Sequence, residues 1–265
     1  MKFPTSLPST HQALLEKIIA MVSSDERFVG LSAAGSYASN TMDDYSDLDL
    51  VVAVDPAAFD DVMASRSTIV NQIDGLVAHF TGEHVGEPRL VIALYEGAVI
   101  VHVDFKFVSL PDAAQRVDDP VVLWQRGSCL SDVLAQSESQ YPQPNPQWIE
   151  DRFWVWVHYA ATKIARGEYF ETLEFISFLR QNALSPLALA QAGETPEGVR
   201  KIEHLIPDFA QKLEATIATN NAESLGEAVY RCVDIYRELR ANIEGVECNH
   251  TAEKLSLAYL KQILS

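Results

Sequence analysis

Apolar residues at Leu14, Leu15, Ile18, Ile19 and Val22 recur at helical spacing, which predicts a helix over residues 11–22 with Ser9 or Thr10 as its N-cap. Residues 28–34 form a short apolar run, as in a buried strand, and lead into Gly35-Ser36. A second such run, residues 47–54, opens on two acids set in an apolar stretch, Asp47-Leu48-Asp49-Leu50-Val51-Val52. Pro56 suits a helix start, and the segment from there to about residue 73 has a helical pattern with one surface face. Three more strands are predicted at 76–80, 90–95 and 98–108, the last two joined by a tight turn at Glu96-Gly97.

The pattern then changes. Residues 141–146 read Tyr-Pro-Gln-Pro-Asn-Pro, and alternate prolines, lacking an amide to donate, stiffen a chain into an extended linker. Beyond it only helical periodicity remains, over 147–166, 168–183, 196–205, 208–219, 222–243 and 251–264, with Gly167 as the stop between the first two. The expected fold is α+β: a mixed sheet flanked by helices over residues 1–140, then a helical bundle over 147–265.

A length of 265 residues is enough for two cores, and 48% hydrophobic with 22% charged residues is ordinary for a globular protein. Cys129, Cys232 and Cys248 are odd in number and widely spaced, which fits neither a disulfide framework nor a metal-binding motif, so a reducing cytoplasm is expected. No run approaches the length of a membrane span, and no export signal is expected. The net charge of −17 argues against nucleic acid as partner, because phosphate backbones are bound by Lys and Arg. Residues 1–144 hold 20 acids against 8 bases, while 145–265 hold 17 against 12. The excess therefore lies with the paired acids and favours a cationic small molecule.

Residues i and i+2 of a strand share a face, so Asp47 and Asp49 project together. Like charges held this close repel unless a cation joins them, and a hard divalent ion such as Mg²⁺ is the simplest partner. A third acid lies in Val101-His102-Val103-Asp104-Phe105-Lys106-Phe107, where strict alternation puts His102, Asp104 and Lys106 opposite the apolar face. Three carboxylates around two divalent ions suit phosphoryl or nucleotidyl transfer. The Gly35-Ser36 turn suits the same chemistry: glycine lets backbone approach a phosphate, and amides with the Ser36 hydroxyl can donate to it.

Gly35-Ser36, a gap of ten residues, Asp47-Leu48-Asp49 and the later Asp104 together resemble the signature of the polymerase-beta-like nucleotidyltransferase superfamily. Size, the mixed first half and the helical second half are similar to its aminoglycoside and lincosamide nucleotidyltransferases, as is the stretch from Arg152 through Glu168. One departure is Ser39-Asn40, where many members have a further glycine. The resemblance implies a nucleotidyltransferase domain followed by a helical substrate-binding domain. It implies transfer of a nucleoside monophosphate, AMP from ATP, to a hydroxyl of a small acceptor, an antibiotic among the candidates, with release of pyrophosphate. Asp47 and Asp49 would then hold two Mg²⁺ ions, with Asp104 as third ligand and candidate base, and Gly35 and Ser36 would lie against the triphosphate.

In the helical half, Lys163 follows Tyr159 by one turn and Trp156 by two, and is the candidate for phosphate contact. Glu168 and Glu171 are candidates for binding an acceptor amine or acting as base, although acids are favoured in a first helical turn anyway. Trp154, Trp156, Phe170 and Phe175 read as core, His102 and His158 as partly buried, and Asp43-Asp44 as a solvated turn. Two other readings stay open: a non-catalytic, antitoxin-like binding module on the same fold, and a transferase that modifies a protein. Acceptor, nucleotide preference and oligomeric state are not specified by the sequence.

Overall fold

A computed structural model describes residues 3–265. The chain divides into two compact units, Met1–Gln140 and Tyr141–Ser265, the boundary in sequence falling at the start of the proline-rich segment.

The first unit is a six-stranded mixed sheet with helices. In chain order it contains α1 (Ser9–Ser24), β1 (Phe28–Ala33), the single turn α2 (Gly35–Ala38), β2 (Leu48–Val54), α3 (Phe59–Val70), β3 (Leu76–Gly82), β4 (Glu87–Tyr95), β5 (Val101–Ser109), β6 (Val121–Gln125) and α4 (Cys129–Leu134). Strand order is β3-β4-β5-β2-β1-β6. Only β2 and β5 run parallel; the other pairings are antiparallel.

Alternation decides which face each strand buries. Leu48, Leu50, Val52 and Val54 of β2 and Val101, Val103, Phe105 and Phe107 of β5 turn to one face, where α1 and α3 cover them with Leu15, Ile18, Val22, Val62 and Ile69. The second face is covered only in part. Val51, Ala53 and Val108 pack there with Val29, Val122 and Leu130 of α4. The packing is close: a Cβ on Gly30 would stand 2.8 Å from a Leu130 methyl carbon.

Several local expectations shift. Pro8, not Ser9 or Thr10, occupies the cap position of α1, with no side-chain cap bond. β2 starts at Leu48, so Asp47 precedes the strand. Pro56–Ala58 is a 3₁₀ turn, capped by the Asp55 carboxylate on the Ala57 amide, ahead of α3. Residues 98–100 are an irregular turn rather than strand. Neither β6 nor α4 is foreseen in the sequence reading: VVLWQ follows Pro120 and is too short to show a period.

The second unit is helical throughout: α5 (Pro146–Ala165), α6 (Tyr169–Leu179), α7 (Ser185–Ala192), α8 (Ile202–Leu205), α9 (Pro207–Glu214), α10 (Ala222–Ala241) and α11 (His250–Leu264). Asn145 caps α5 on the Trp148 amide, and Gly167 ends it with φ +71°, a left-handed turn that glycine adopts without strain. A π-helical stretch, Arg180–Leu184, carries α6 into α7, which the sequence reading does not anticipate. The predicted helix at 196–205 shrinks to α8. Phe153 and Trp154 are buried, whereas Phe170, expected in the core, is 76% exposed. No helix among the described residues is long and apolar enough to cross a membrane.

Candidate active site

The parallel pairing of β2 with β5 sets Asp49 opposite Asp104, between Leu48↔Val103 and Leu50↔Phe105. In-register partners on neighbouring strands share a face, and their Cα atoms lie about 4.8 Å apart. Both flanking pairs are buried on the helix-covered side, so the two carboxylates stand together on the other, just beyond the cover that α4 provides over Val51 and Ala53. Asp47 precedes the strand by one residue and is close enough for its charge to act on Asp104.

Electrostatics express this crowding. Burial pushes the Asp104 carboxyl above the ordinary carboxylate range; hydrogen bonding and charge from His102 oppose the rise, and the Asp47 charge adds to it. His102, expected to be partly buried, is instead exposed and donates from Nε2 to Asp104 Oδ1 at 2.9 Å.

The Gly-Ser turn closes against Asp49. Gly35 has φ +56°, and a Cβ there would sit 2.4 Å from Asp49 Oδ2, so only glycine allows this carboxylate so near the turn. The Ala34 amide donates to the Asp49 carbonyl at 2.9 Å, which fixes the turn to β2. Ser36 Oγ is buried with no hydrogen-bond partner.

Two residues missed by the sequence reading hold this region. Asp118 accepts a bond from the Gly35 amide, 3.1 Å from Oδ2. His11, buried on α1, donates from Nε2 to the Ser46 carbonyl at 2.7 Å, since a carbonyl can only accept; its Nδ1 then accepts from Thr10 Oγ1 at 3.2 Å. That bond fixes the chain just before Asp47. Asp43 organises the same turn, its Oδ1 accepting from the Tyr45 amide and the Ser46 hydroxyl. No periodicity announces such contacts, because they join side chains to loop backbone across 35 and 83 positions.

A divalent ion can be tested against these residues. The donors are hard oxygens, Asp104 carries an opposed charge that a cation would relieve, and the buried Ser36 hydroxyl and close-set Gly35 suit a phosphate beside it. Among the described residues no three His, Cys, Asp or Glu side chains stand as a ready-made metal cluster. The hard carboxylate oxygens of Asp49 and Asp104 are donors of the kind a divalent ion such as Mg²⁺ takes.

In the helical unit, Lys163, Glu168 and Glu171 are brought together with one another. Lys163 Nζ lies 2.6 Å from Glu168 and 2.9 Å from Glu171, and Tyr159 donates to Glu171. These bonds raise the Lys163 pKa, Glu168 contributing most. The Tyr159 and Lys163 bonds hold Glu171 below the usual carboxylate range. Tyr159 also begins a ladder of rings through Phe175, Phe178, Trp156 and Trp148. His158, expected to be partly buried, is exposed and stacks on Tyr259 at 4.7 Å.

Comparison with known proteins bears on the whole chain. The model of the streptomycin adenylyltransferase family matches residues 9–263. Among solved structures, the chain is similar to an aminoglycoside 6-adenyltransferase from Bacillus subtilis, at 12% identity over 97% of this chain and 99% of that one, with a TM-score of 0.44. It is also similar to a nucleotidyltransferase-like protein from Exiguobacterium sibiricum 255-15, at 14% identity over 86% of this chain and 74% of that one, with a TM-score of 0.37. No curated protein sequence matches significantly. With nearly its full length matched by one family model, the chain belongs to the streptomycin adenylyltransferase family and is an adenylyltransferase-type nucleotidyltransferase.

Proposed function

We propose that the protein transfers AMP from ATP to a hydroxyl of an aminoglycoside of the streptomycin kind, in a Mg²⁺-dependent reaction, and so confers resistance to it. The observation that carries this reading is the in-register pair Asp49 and Asp104, with Asp49 packed against the Gly35 turn, on the part of the sheet that α4 leaves uncovered. The acceptor oxygen forms a bond to the α-phosphorus, the bond from that phosphorus to the bridging oxygen breaks, and pyrophosphate departs.

Asp47, Asp49 and Asp104 would hold the ions, which when bound lower the pKa of the attacking hydroxyl and neutralise charge on the departing pyrophosphate. Gly35 and Ser36 bind and orient the triphosphate with backbone amide and hydroxyl. The acceptor proton is assigned to Asp104, which stands in register with Asp49; Glu168 and Glu171 are the other carboxylates assigned to the acceptor, as anchors for its ammonium groups. Lys163 is assigned to the nucleotide phosphates, and its ion pairs with Glu168 and Glu171 gather the three charged groups on the helical unit.

The test is pyrophosphate release with Mg²⁺, ATP and a panel of aminoglycosides. Turnover with streptomycin is expected, and Asp49→Asn abolishes it while the melting temperature stays near that of the native protein. Undiminished turnover in that variant would remove Asp49 from the mechanism.

A further inference from the structure

Open faces of antiparallel strands ordinarily carry polar side chains. The first unit departs from that rule beside the acids. Val91, Ala93 and Tyr95 of β4 are buried under the helices, so Ile92 and Leu94 turn to the face that bears Asp104. Phe80 of β3 pairs with Ile92 and turns the same way; it is 53% exposed, and Leu94 is 36% exposed. Pairing lays these side chains in two rows. One runs Phe80–Ile92–Asp104–Asp49, the other Ala78–Leu94–His102. At the spacing of paired strands, Phe80 lies about 10 Å from Asp104 along its row.

We propose that Phe80, Ile92 and Leu94 form a shelf that seats the acceptor, the C–H face of a sugar-like ring lying on them while its reactive hydroxyl reaches the carboxylates. This deepens the adenylyl-transfer reading and rests on it. Strand order supplies the argument for the occupant. In the sequence β3-β4-β5-β2-β1, the acids of β5 and β2 lie between the shelf on β3 and β4 and the Gly35-Ser36 turn that follows β1. A donor held at that turn and an acceptor held on the shelf would therefore meet over Asp49 and Asp104 from opposite sides, as an in-line displacement requires. Charge agrees with the assignment. Lys106, on the same face, is paired with Glu87 at 3.0 Å, and the half-exposed Phe80 ring offers its face to an ammonium group. β3 is an edge strand, so a ligand reaches the shelf from the side of the sheet.

The test uses the full chain. Phe80→Ala should raise the acceptor KM about tenfold, the scale of one lost aromatic contact, and leave the ATP KM within about twofold. Phe80→Trp should restore the acceptor KM. Calorimetric titration of streptomycin without nucleotide should show the same loss of affinity, which reads the shelf independently of turnover. Unchanged acceptor KM and affinity in both Phe80→Ala and Leu94→Thr would overturn the proposal. So would conversion of a dimer to monomers in those variants with both constants intact, because the patch would then be a subunit contact. A native protein that binds streptomycin through Phe80 but releases no pyrophosphate would overturn the reaction and keep the shelf; absence of binding would overturn both.

Discussion

A methyl group added at Gly35 has nowhere to go. It would lie 2.4 Å from Asp49 Oδ2, and the backbone there has φ +56°, which costs an L-residue about 1–2 kcal/mol. Gly35→Ala must therefore either unwind the turn or push the carboxylate out of its row. Because a displacement of about 1 Å in a positioned group costs roughly 100-fold in rate, turnover should fall by about two orders of magnitude with only a few degrees lost in melting temperature. Pyrophosphate release measured beside a thermal melt separates the two effects, and near-native turnover would show that the turn does not position Asp49. This position was readable in the sequence because glycine next to a strand end carries a conformational meaning. The alternation through Val101–Phe107 likewise put Asp104 opposite the apolar face, where the structure has it. Asp118 and His11 were not readable: each acts on a backbone group of a distant loop, and neither its spacing nor its surroundings in sequence marks it.

Elements place what residues supply. The long periodic segments were legible because burial repeats along them; β6 and α4 were not, since five and six residues give no period and their burial comes from β1 and Leu130 packing. That Asp104 would stand beside Asp49 needed the parallel β2–β5 pairing, which no local pattern encodes. At the junction of α5 and α6, by contrast, Gly167 was visible as a stop, and the sharp turn it permits brings Glu168 and Glu171 back onto Lys163. The geometry makes the lysine either a phosphate ligand or a clamp for two glutamates. Lys163→Ala should raise the ATP KM several-fold in steady-state assays with little change in kcat if it meets phosphate. An unchanged ATP KM would leave it as a clamp.

For the molecule as a whole, the helical unit depends on one buried carboxylate. Glu150 of α5, 1% exposed, accepts from Trp154 Nε1 at 3.0 Å, Tyr236 Oη at 2.6 Å, Arg240 Nη1 at 3.2 Å and the Asn249 amide at 2.9 Å. It thereby ties α5 to α10 and to the start of α11. Burial pushes its pKa up, but the bonds from Tyr236, the Asn249 amide, Trp154 and Arg240 outweigh that and hold it below the ordinary value. A carboxylate depressed in the folded state contributes stability that is fully present above its unfolded pKa of about 4.3 and is lost as pH falls through the lower folded value. Glu150→Ala leaves the buried Trp154 and Tyr236 donors and the part-buried ones of Arg240 and Asn249 without this acceptor and should cost about 3–5 kcal/mol, as breaking a buried ionic network does. Glu150→Gln should cost less, and its deficit should shrink as pH falls from 7 past the unfolded value and through the lower folded one, where the native side chain also becomes neutral. Hydrogen exchange followed by mass spectrometry would read the loss in peptides from α5, α10 and α11. A deficit for Glu150→Gln that stays constant with pH would mean that the charge of Glu150, as opposed to its shape, does not hold these helices together.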